Sequence, residues 1–304
     1  MRPWPALAGQ AKTLSLAGGK LFFYDTNSVA GRSASSKPWA IILIHGLGDE
    51  ADSWRHLMPH LSKAGWRILA PDLPGFGRSE WKGKINIQAH AGAVLSMMQE
   101  AGAASPANPA VLVGSSMGAI IAQAISYQRP DLVKELVFLD GCFPLSASAG
   151  MGTLLMGLPF IGRAWYRSFR QNHEGAWKSL YPYYHDLDAL PPEDKEFLRQ
   201  RVIARVESSG QERAYFASLR SLNRLAIFGR ANFSRRIKKF AGKIHLLWGK
   251  ADRIIPAAAT GVFRSMRPDA AFQEIAKAGH LPHQEAPQET AQAILDLFRN
   301  PVGF

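Results

Sequence analysis

The chain has 304 residues, of which 47% are apolar and 20% charged, with a net charge of +12 and a single cysteine. That length holds one large α/β domain, or one core with an inserted subdomain, and a lone Cys142 excludes an internal disulfide or a cysteine-rich zinc site. The charge raises nucleic acid or an anionic membrane as partners, but sixteen Lys/Arg against eight Asp/Glu fall between Phe143 and Ala241, and no nucleic-acid recognition motif accompanies them.

In chain order, two strands are predicted around Lys12–Leu16 and Lys20–Asp25, joined by the turn signal Gly18-Gly19. A Ser/Gly/Ala-rich loop over residues 27–37 leads to Ala40-Ile-Ile-Leu-Ile44, an unbroken apolar run of the kind buried on both faces of a parallel sheet. It ends in His45-Gly-Leu-Gly48. A helix over 53–64 follows, then a strand at 66–70 that ends in Pro71-Asp-Leu-Pro-Gly-Phe-Gly-Arg-Ser79, then a helix over 85–101. Val111-Leu-Val113 is a short buried strand, and the alanine-rich run after Gly118 is a helix. A further strand at 135–140 completes a β-α-β rhythm that implies a parallel sheet with helices on both faces.

The rhythm then breaks. From Phe143 to Ala241 only helical patterns occur, including 193–207 and 211–225, and it resumes with Lys243–Gly249, a helix near 257–266, a short strand at 271–275 and a terminal helix over 287–298. The expectation is an α/β, doubly wound, mostly parallel eight-stranded sheet with a helical cap inserted after the sixth strand. Residues 1–142 and 242–304 form the core, and residues 143–241 the cap. The first ten residues carry no apolar run of signal-peptide length, and no stretch approaches a bilayer span, so a soluble, cytoplasmic protein is expected.

Between the strand at 111–113 and its helix lies Gly114-x-Ser116-x-Gly118. A serine on a sharp strand-to-helix turn exposes its hydroxyl, glycines on either side remove side chains that would crowd it, and the new helix offers free N–H groups. Ser115 falls on a variable position of the pattern and is discounted. Acyl transfer by serine also needs a base and a group to orient the base. Asp252, in Trp248-Gly-Lys-Ala-Asp-Arg-Ile-Ile-Pro256, and His280, in Ala278-Gly-His-Leu-Pro282, each follow a strand end, where doubly wound sheets place their sites.

These motifs, together with His45-Gly-Leu-Gly48 and Asp72-x-x-Gly-x-Gly-x-Ser79, occur in the order found in the α/β-hydrolase fold superfamily. The chain resembles its serine esterase/lipase-like branch, which carries a helical cap. The resemblance implies Ser116 as nucleophile, His280 as general base and then acid, and Asp252 as the orienting acid. It implies an oxyanion hole from the backbone N–H groups of Leu47 and Met117, and no cofactor or metal. Asp140, at the preceding strand end, is a position some members use for the acid and is the alternative. His283 is a rival base without the preceding glycine.

His45 is expected to hold its loop, Asp72 with its glycines to build a tight turn, and Trp54 and Trp248 to lie in the core. His56, His60, His90, His173 and His185 lack ligand spacing. The apolar stretch Met151–Ile161 reads either as an acyl pocket, with Leu154, Leu155 and Phe160 lining it, or as the cap's own small core. Weak association of the basic cap with an anionic membrane surface stays open, and nucleic acid is not expected. The expected reaction is hydrolysis of small to medium apolar carboxylic esters through an acyl-enzyme. The same triad also serves carbon–carbon bond hydrolases, proline iminopeptidases and perhydrolases, and non-catalytic binding proteins share the fold. An epoxide hydrolase is disfavoured, since its nucleophile is an aspartate where this chain has Ser116.

Overall fold

The computed structural model describes residues 1–28, 39–145 and 161–299. Its sheet is built from β1 Ala11–Leu16, β2 Gly19–Asp25, β3 Ala40–Ile44, β4 Arg67–Pro71, β5 Glu80–Trp81, β6 Ala110–Ser115, β7 Val133–Leu139, β8 Lys243–Gly249 and β9 Ala271–Ile275. The spatial order is β1-β2-β4-β3-β6-β7-β8-β9, with β5 paired to β2 off that path. Pairs that include β2 are antiparallel, and every other neighbouring pair is parallel. The two-residue β5 is the ninth strand, one more than the eight expected. It is too short to leave an apolar run and exists through its pairing with Gly19 and Lys20. Counting it, the long helical segment follows the seventh strand in the chain.

The helices are α1 Leu57–Lys63, α2 Ile87–Glu100, α3 Met117–Gln128, α4 Ile161–Ser168, α5 His173–Lys178, α6 Pro192–Glu207, α7 Ser209–Arg224, α8 Arg230–Lys238, α9 Gly261–Met266, α10 Pro282–Glu285 and α11 Pro287–Arg299. β3 is apolar at every position, and β6 and β7 carry the apolar runs Ala110–Val113 and Leu136–Leu139, because both faces of the sheet are covered there. Successive side chains alternate between the two faces. Ile42, Ile44, Leu112, Leu136 and Phe138 join the layer of α2, α3, α8 and α9. Ile41, Leu43, Val111, Val113, Val137 and Leu139 join the layer of α1 and α11.

Between β7 and β8 the regular elements among the described residues are all helical, with two small cores of their own. One gathers Tyr166, Val202, Val206, Phe216 and Leu219, the other Trp177, Tyr184, Leu187 and Leu198. Buried charge ties this segment to the loop after β3. Arg55 pairs with Asp194 at 2.7 Å, Arg201 with Asp52 at 2.7 Å and with Glu50 at 3.2 Å, and Arg205 with Asp49 at 3.0 Å. Arg201 and Arg205 are four apart on α6, so one face of that helix presents both guanidinium groups. Removing one partner of such a pair leaves an uncompensated buried charge. Arg201→Met is therefore expected to cost roughly 3 kcal/mol of stability, read from urea unfolding. An unchanged unfolding midpoint would show that the carboxylates do not depend on it.

Candidate active site

Ser116 follows the last residue of β6 and precedes the first residue of α3. Its backbone is forced to φ 51° and ψ −115°, a region side-chain-bearing residues avoid and which must be held in place by the surrounding packing. A Cβ on Gly118 would collide with the carbonyl of Ile44 on β3, and one on Gly114 with the backbone of Gly118. The turn can therefore close only with glycine at both places. The Ser116 N–H donates to the Leu139 carbonyl at 2.8 Å, which fixes the turn against β7. Ser116 is half-buried, whereas Ser115 is buried and its hydroxyl has no hydrogen-bond partner among the described residues.

On the β3 side, the loop from His45 to Gly48 passes beside the serine. A Cβ on Gly46 would lie 3.4 Å from that of Ser116. His45 Nδ1 lies 2.8 Å from the Gly46 carbonyl, and its Nε2 accepts from the Leu73 N–H at 2.9 Å. That pattern sets the neutral tautomer with the proton on Nδ1, and burial also pushes the imidazole pKa down. His45 thus clamps the loop that carries Leu47. Met117, as first residue of α3, has no intrahelical partner for its N–H. The turn after β4 braces the same loop: Asp72 accepts from the Ala51 N–H at 2.7 Å and from the Arg78 N–H at 2.7 Å, and Ser79 Oγ donates to the Asp72 carbonyl at 2.6 Å. Trp54 and Trp248 are fully buried.

On the other side, Asp140, Asp252 and His280 follow β7, β8 and β9, so the three occupy successive positions along the same sheet edge. His280 Nδ1 is 2.8 Å from Asp252 Oδ2. Asp252 Oδ1 accepts from the Ile254 and Ile255 N–H groups at 2.8 and 2.9 Å, which aims the other oxygen at the imidazole. Asp140 accepts from the Gly249 N–H at 2.7 Å through Oδ1, while its buried Oδ2 has no hydrogen-bond partner among the described residues. Ligand atoms of Asp140, Asp252 and His280 lie within 4.8 Å of one another, the one such His/Cys/Asp/Glu group among the described residues. Two of its three members, Asp252 and His280, are already hydrogen-bonded to each other. Burial, followed by the nearby Asp252 carboxylate, holds the Asp140 carboxyl well above the usual carboxylate range.

His283 lies deeper and packs on Trp54, with ring centroids 4.2 Å apart and its Nε2 2.7 Å from Ser53 Oγ. His90 on α2 meets Ser218 of α7 at 2.8 Å. Burial pushes both imidazoles down to about 3. Unfolded, each titrates near ~6.5. The unfolded chain then takes up protons that the folded chain refuses. Stabilisation present above about pH 6.5 is lost as pH falls toward the folded value. The expected loss is about 2 kcal/mol per histidine on going from about pH 7 to about pH 5, read from urea unfolding at both, and His90→Gln should flatten the slope. A parent protein equally stable at both would contradict this.

Three contacts at the site had no local sequence signal. The His280 N–H donates to the Tyr183 carbonyl at 2.7 Å, and the Tyr183 ring lies 5.8 Å from the imidazole. Glu285 accepts from the Gly279 N–H at 2.7 Å and from the His185 N–H at 2.6 Å, stitching the histidine loop to the helical segment. The Tyr215 ring of α7 stands 3.3 Å from where a Cβ on Gly48 would lie. The aromatic cluster Tyr181-Pro-Tyr-Tyr184 could have flagged Tyr183; nothing marked Glu285. Leu154, Leu155 and Phe160 lie outside the described residues.

A parallel sheet with a glycine-flanked serine on a strained elbow, an Asp–His pair on neighbouring strand ends and a clamped Gly-rich loop after β3 are the features of one fold family. A family model described as alpha/beta hydrolase fold matches residues 40–287, and the chain belongs to that family. It is a hydrolase of the esterase and lipase-like kind. It is similar to Lipase LipV of Mycobacterium tuberculosis, 31% identical over 154 residues that span 50% of this chain and 56% of that protein. To Lipase 3 of a Moraxella species it is 26% identical over 289 residues, 93% of this chain and 82% of that one. Among solved structures, Cfl2 from Burkholderia cenocepacia superposes with a TM-score of 0.78 at 21% identity, covering 98% of this chain and 99% of that one. A thermophilic esterase from Thermogutta terrifontis gives 0.71 at 22%, covering 95% and 98%. These structural likenesses bear on the fold.

Proposed function

We propose that the chain hydrolyses carboxylic esters of small to medium apolar substrates through a serine acyl-enzyme. The observation that carries the reading is the Asp252–His280 pair at 2.8 Å on the same sheet edge as the strained, half-exposed Ser116. Ser116 Oγ attacks the ester carbonyl and passes its proton to Nε2 of His280, the ring nitrogen turned away from Asp252. The N–H groups of Leu47 and Met117 receive the oxyanion. The alcohol leaves with the proton from His280. Water then gives a proton to the same nitrogen, attacks the acyl carbonyl and releases the acid, and the proton returns to Ser116. Asp252 keeps the imidazole in the required tautomer and stabilises its cation.

Residues 1–142 and 242–304 act in this reading as the catalytic core and residues 143–241 as the cap over the serine, with Tyr183 and Tyr215 at its mouth. Leu154, Leu155 and Phe160 are assigned to the acyl pocket. We also place the protein in the cytoplasm, where its single buried thiol at Cys142 stays reduced. A fluorophosphonate probe tests the mechanism: it should label Ser116, located by peptide mass, and labelling should abolish ester turnover. Turnover that survives stoichiometric labelling would overturn it. For the pocket, Leu155→Ala should lower kcat/KM for medium-chain esters by roughly fourfold per methylene of lost contact while sparing acetate esters. Equal losses at every chain length would return these residues to the cap's own core.

A further inference from the structure

Between α7 and α8 the chain makes one π-helical turn, Leu225–Gly229. Leu225 folds inward over Gly229, where a Cβ would collide with it, and packs against the core. The next large side chains face the other way: Ile227 is 60% exposed and Phe228 79% exposed, above every other large apolar side chain among the described residues. An extra residue in a helix at a functional turn commonly re-aims side chains in this way. Water gains nothing from such an arrangement, since both side chains leave their apolar surface unburied.

The flanking sequence is cationic without interruption. Nine Lys/Arg occur from Arg213 to Lys243, and not one Asp or Glu. Arg220, Arg224, Arg230 and Arg235 are all exposed, and among the described residues none of the four has a carboxylate partner. Arg224 and Arg230 bracket the turn directly. An apolar apex ringed by unpaired guanidinium groups matches a surface that is anionic at its face and apolar beneath. We propose that this turn docks the protein on bilayers containing anionic lipid, with Phe228 and Ile227 entering the boundary between headgroups and acyl chains and the arginines holding phosphate groups. A second copy of the chain fits poorly, because it would bring the same positive field. Nucleic acid would use the arginines but offers nothing to the aliphatic Ile227.

The placement matters for the site. The same helix that leads to the turn carries Tyr215 at the Gly48 loop, so docking would hold the cap side against the layer in which apolar esters dissolve. The docking itself does not depend on the reaction proposed above and is tested apart from it, with the full chain carrying Ser116→Ala as well as the parent. Flotation is measured with phosphatidylcholine vesicles and with vesicles in which part of that lipid is replaced by phosphatidylglycerol. The protein should float with the anionic vesicles alone. Phe228→Ser with Ile227→Ser should weaken partitioning at least about tenfold, and Arg224→Gln with Arg230→Gln by about fivefold per charge removed. Phe228→Ser alone, a single exposed change, guards against a loss of fold in the pairs. In the background that retains Ser116, the Phe228, Ile227, Arg224 and Arg230 variants should keep the parent's turnover of a soluble short-chain ester. Equal binding to both vesicle types, or binding untouched by the Phe228 and Ile227 changes, would overturn the proposal. Retention on duplex DNA with no vesicle binding would overturn it in favour of nucleic acid.

Discussion

Ser116→Ala is expected to lower ester turnover by about 10⁴-fold or more while the protein stays folded. The serine supplies the oxygen that carries the acyl group, so its loss removes the covalent path. What remains is the weak rate from binding and the oxyanion donors. Folding should survive because the hydroxyl carries no hydrogen bond to the described residues: the turn is held by the Ser116 N–H to Leu139 and by the Gly114 and Gly118 contacts, all of them backbone. Ser115→Ala is the control. Its hydroxyl is buried and without a hydrogen-bond partner among the described residues, so removing it costs little packing and relieves an unmet polar group, and turnover should stay within about threefold of the parent. Initial rates on a short-chain ester, with circular dichroism on each variant, check both. Near-normal turnover by Ser116→Ala would end the acyl-enzyme reading. A collapse of turnover in Ser115→Ala would move the nucleophile by one residue.

That one-residue register was legible in the sequence, and the reason is local. Ser116 lies between a buried strand and a buried, alanine-rich helix, and the two glycines mark a backbone approach that no other residue tolerates. The β3 and β6 runs were legible for the same kind of reason: strands covered on both faces carry apolar residues at every position. Where function rests on contacts between distant residues, the sequence was silent. Glu285 meets residues a hundred positions earlier, and its carboxylate looks like any other on an amphipathic terminus. Arg201 and Arg205 carry no signal of their own within a charged helical stretch, yet both guanidinium groups are directed into the loop after β3. β5 has only two residues and no pattern of its own. The neighbouring carboxyl groups of Asp140 and Asp252 belong to this class too, since each follows a different strand and their approach comes from the order of strands in the sheet.

That approach decides what each carboxyl can do, and it makes opposite expectations for two chemically identical substitutions. Asp252→Asn should lower kcat by about 10⁴-fold, because an amide presents its N–H₂ or its oxygen to Nδ1 without the charge that stabilises the imidazolium, and can hold the wrong tautomer. Asp140→Asn should cost less than about tenfold, for three reasons. His280 Nδ1 is bonded to Asp252, not to Asp140. The Asp140 pKa is raised by burial and by the neighbouring Asp252, which favours its neutral form. An asparagine there keeps an oxygen for the Gly249 N–H and puts an N–H₂ where the acid's O–H would sit. The two also differ in how stability responds to pH. A carboxyl raised above its unfolded value contributes stability that is fully present below the unfolded carboxylate range and is lost as pH rises through the folded value. Asp140→Asn removes that loss, so the variant should gain on the parent as pH rises, measured by urea unfolding across the neutral and alkaline range. If instead Asp140→Asn abolished turnover and Asp252→Asn did not, the imidazole would be oriented from β7, and the 2.8 Å contact from β8 would be a structural bond alone.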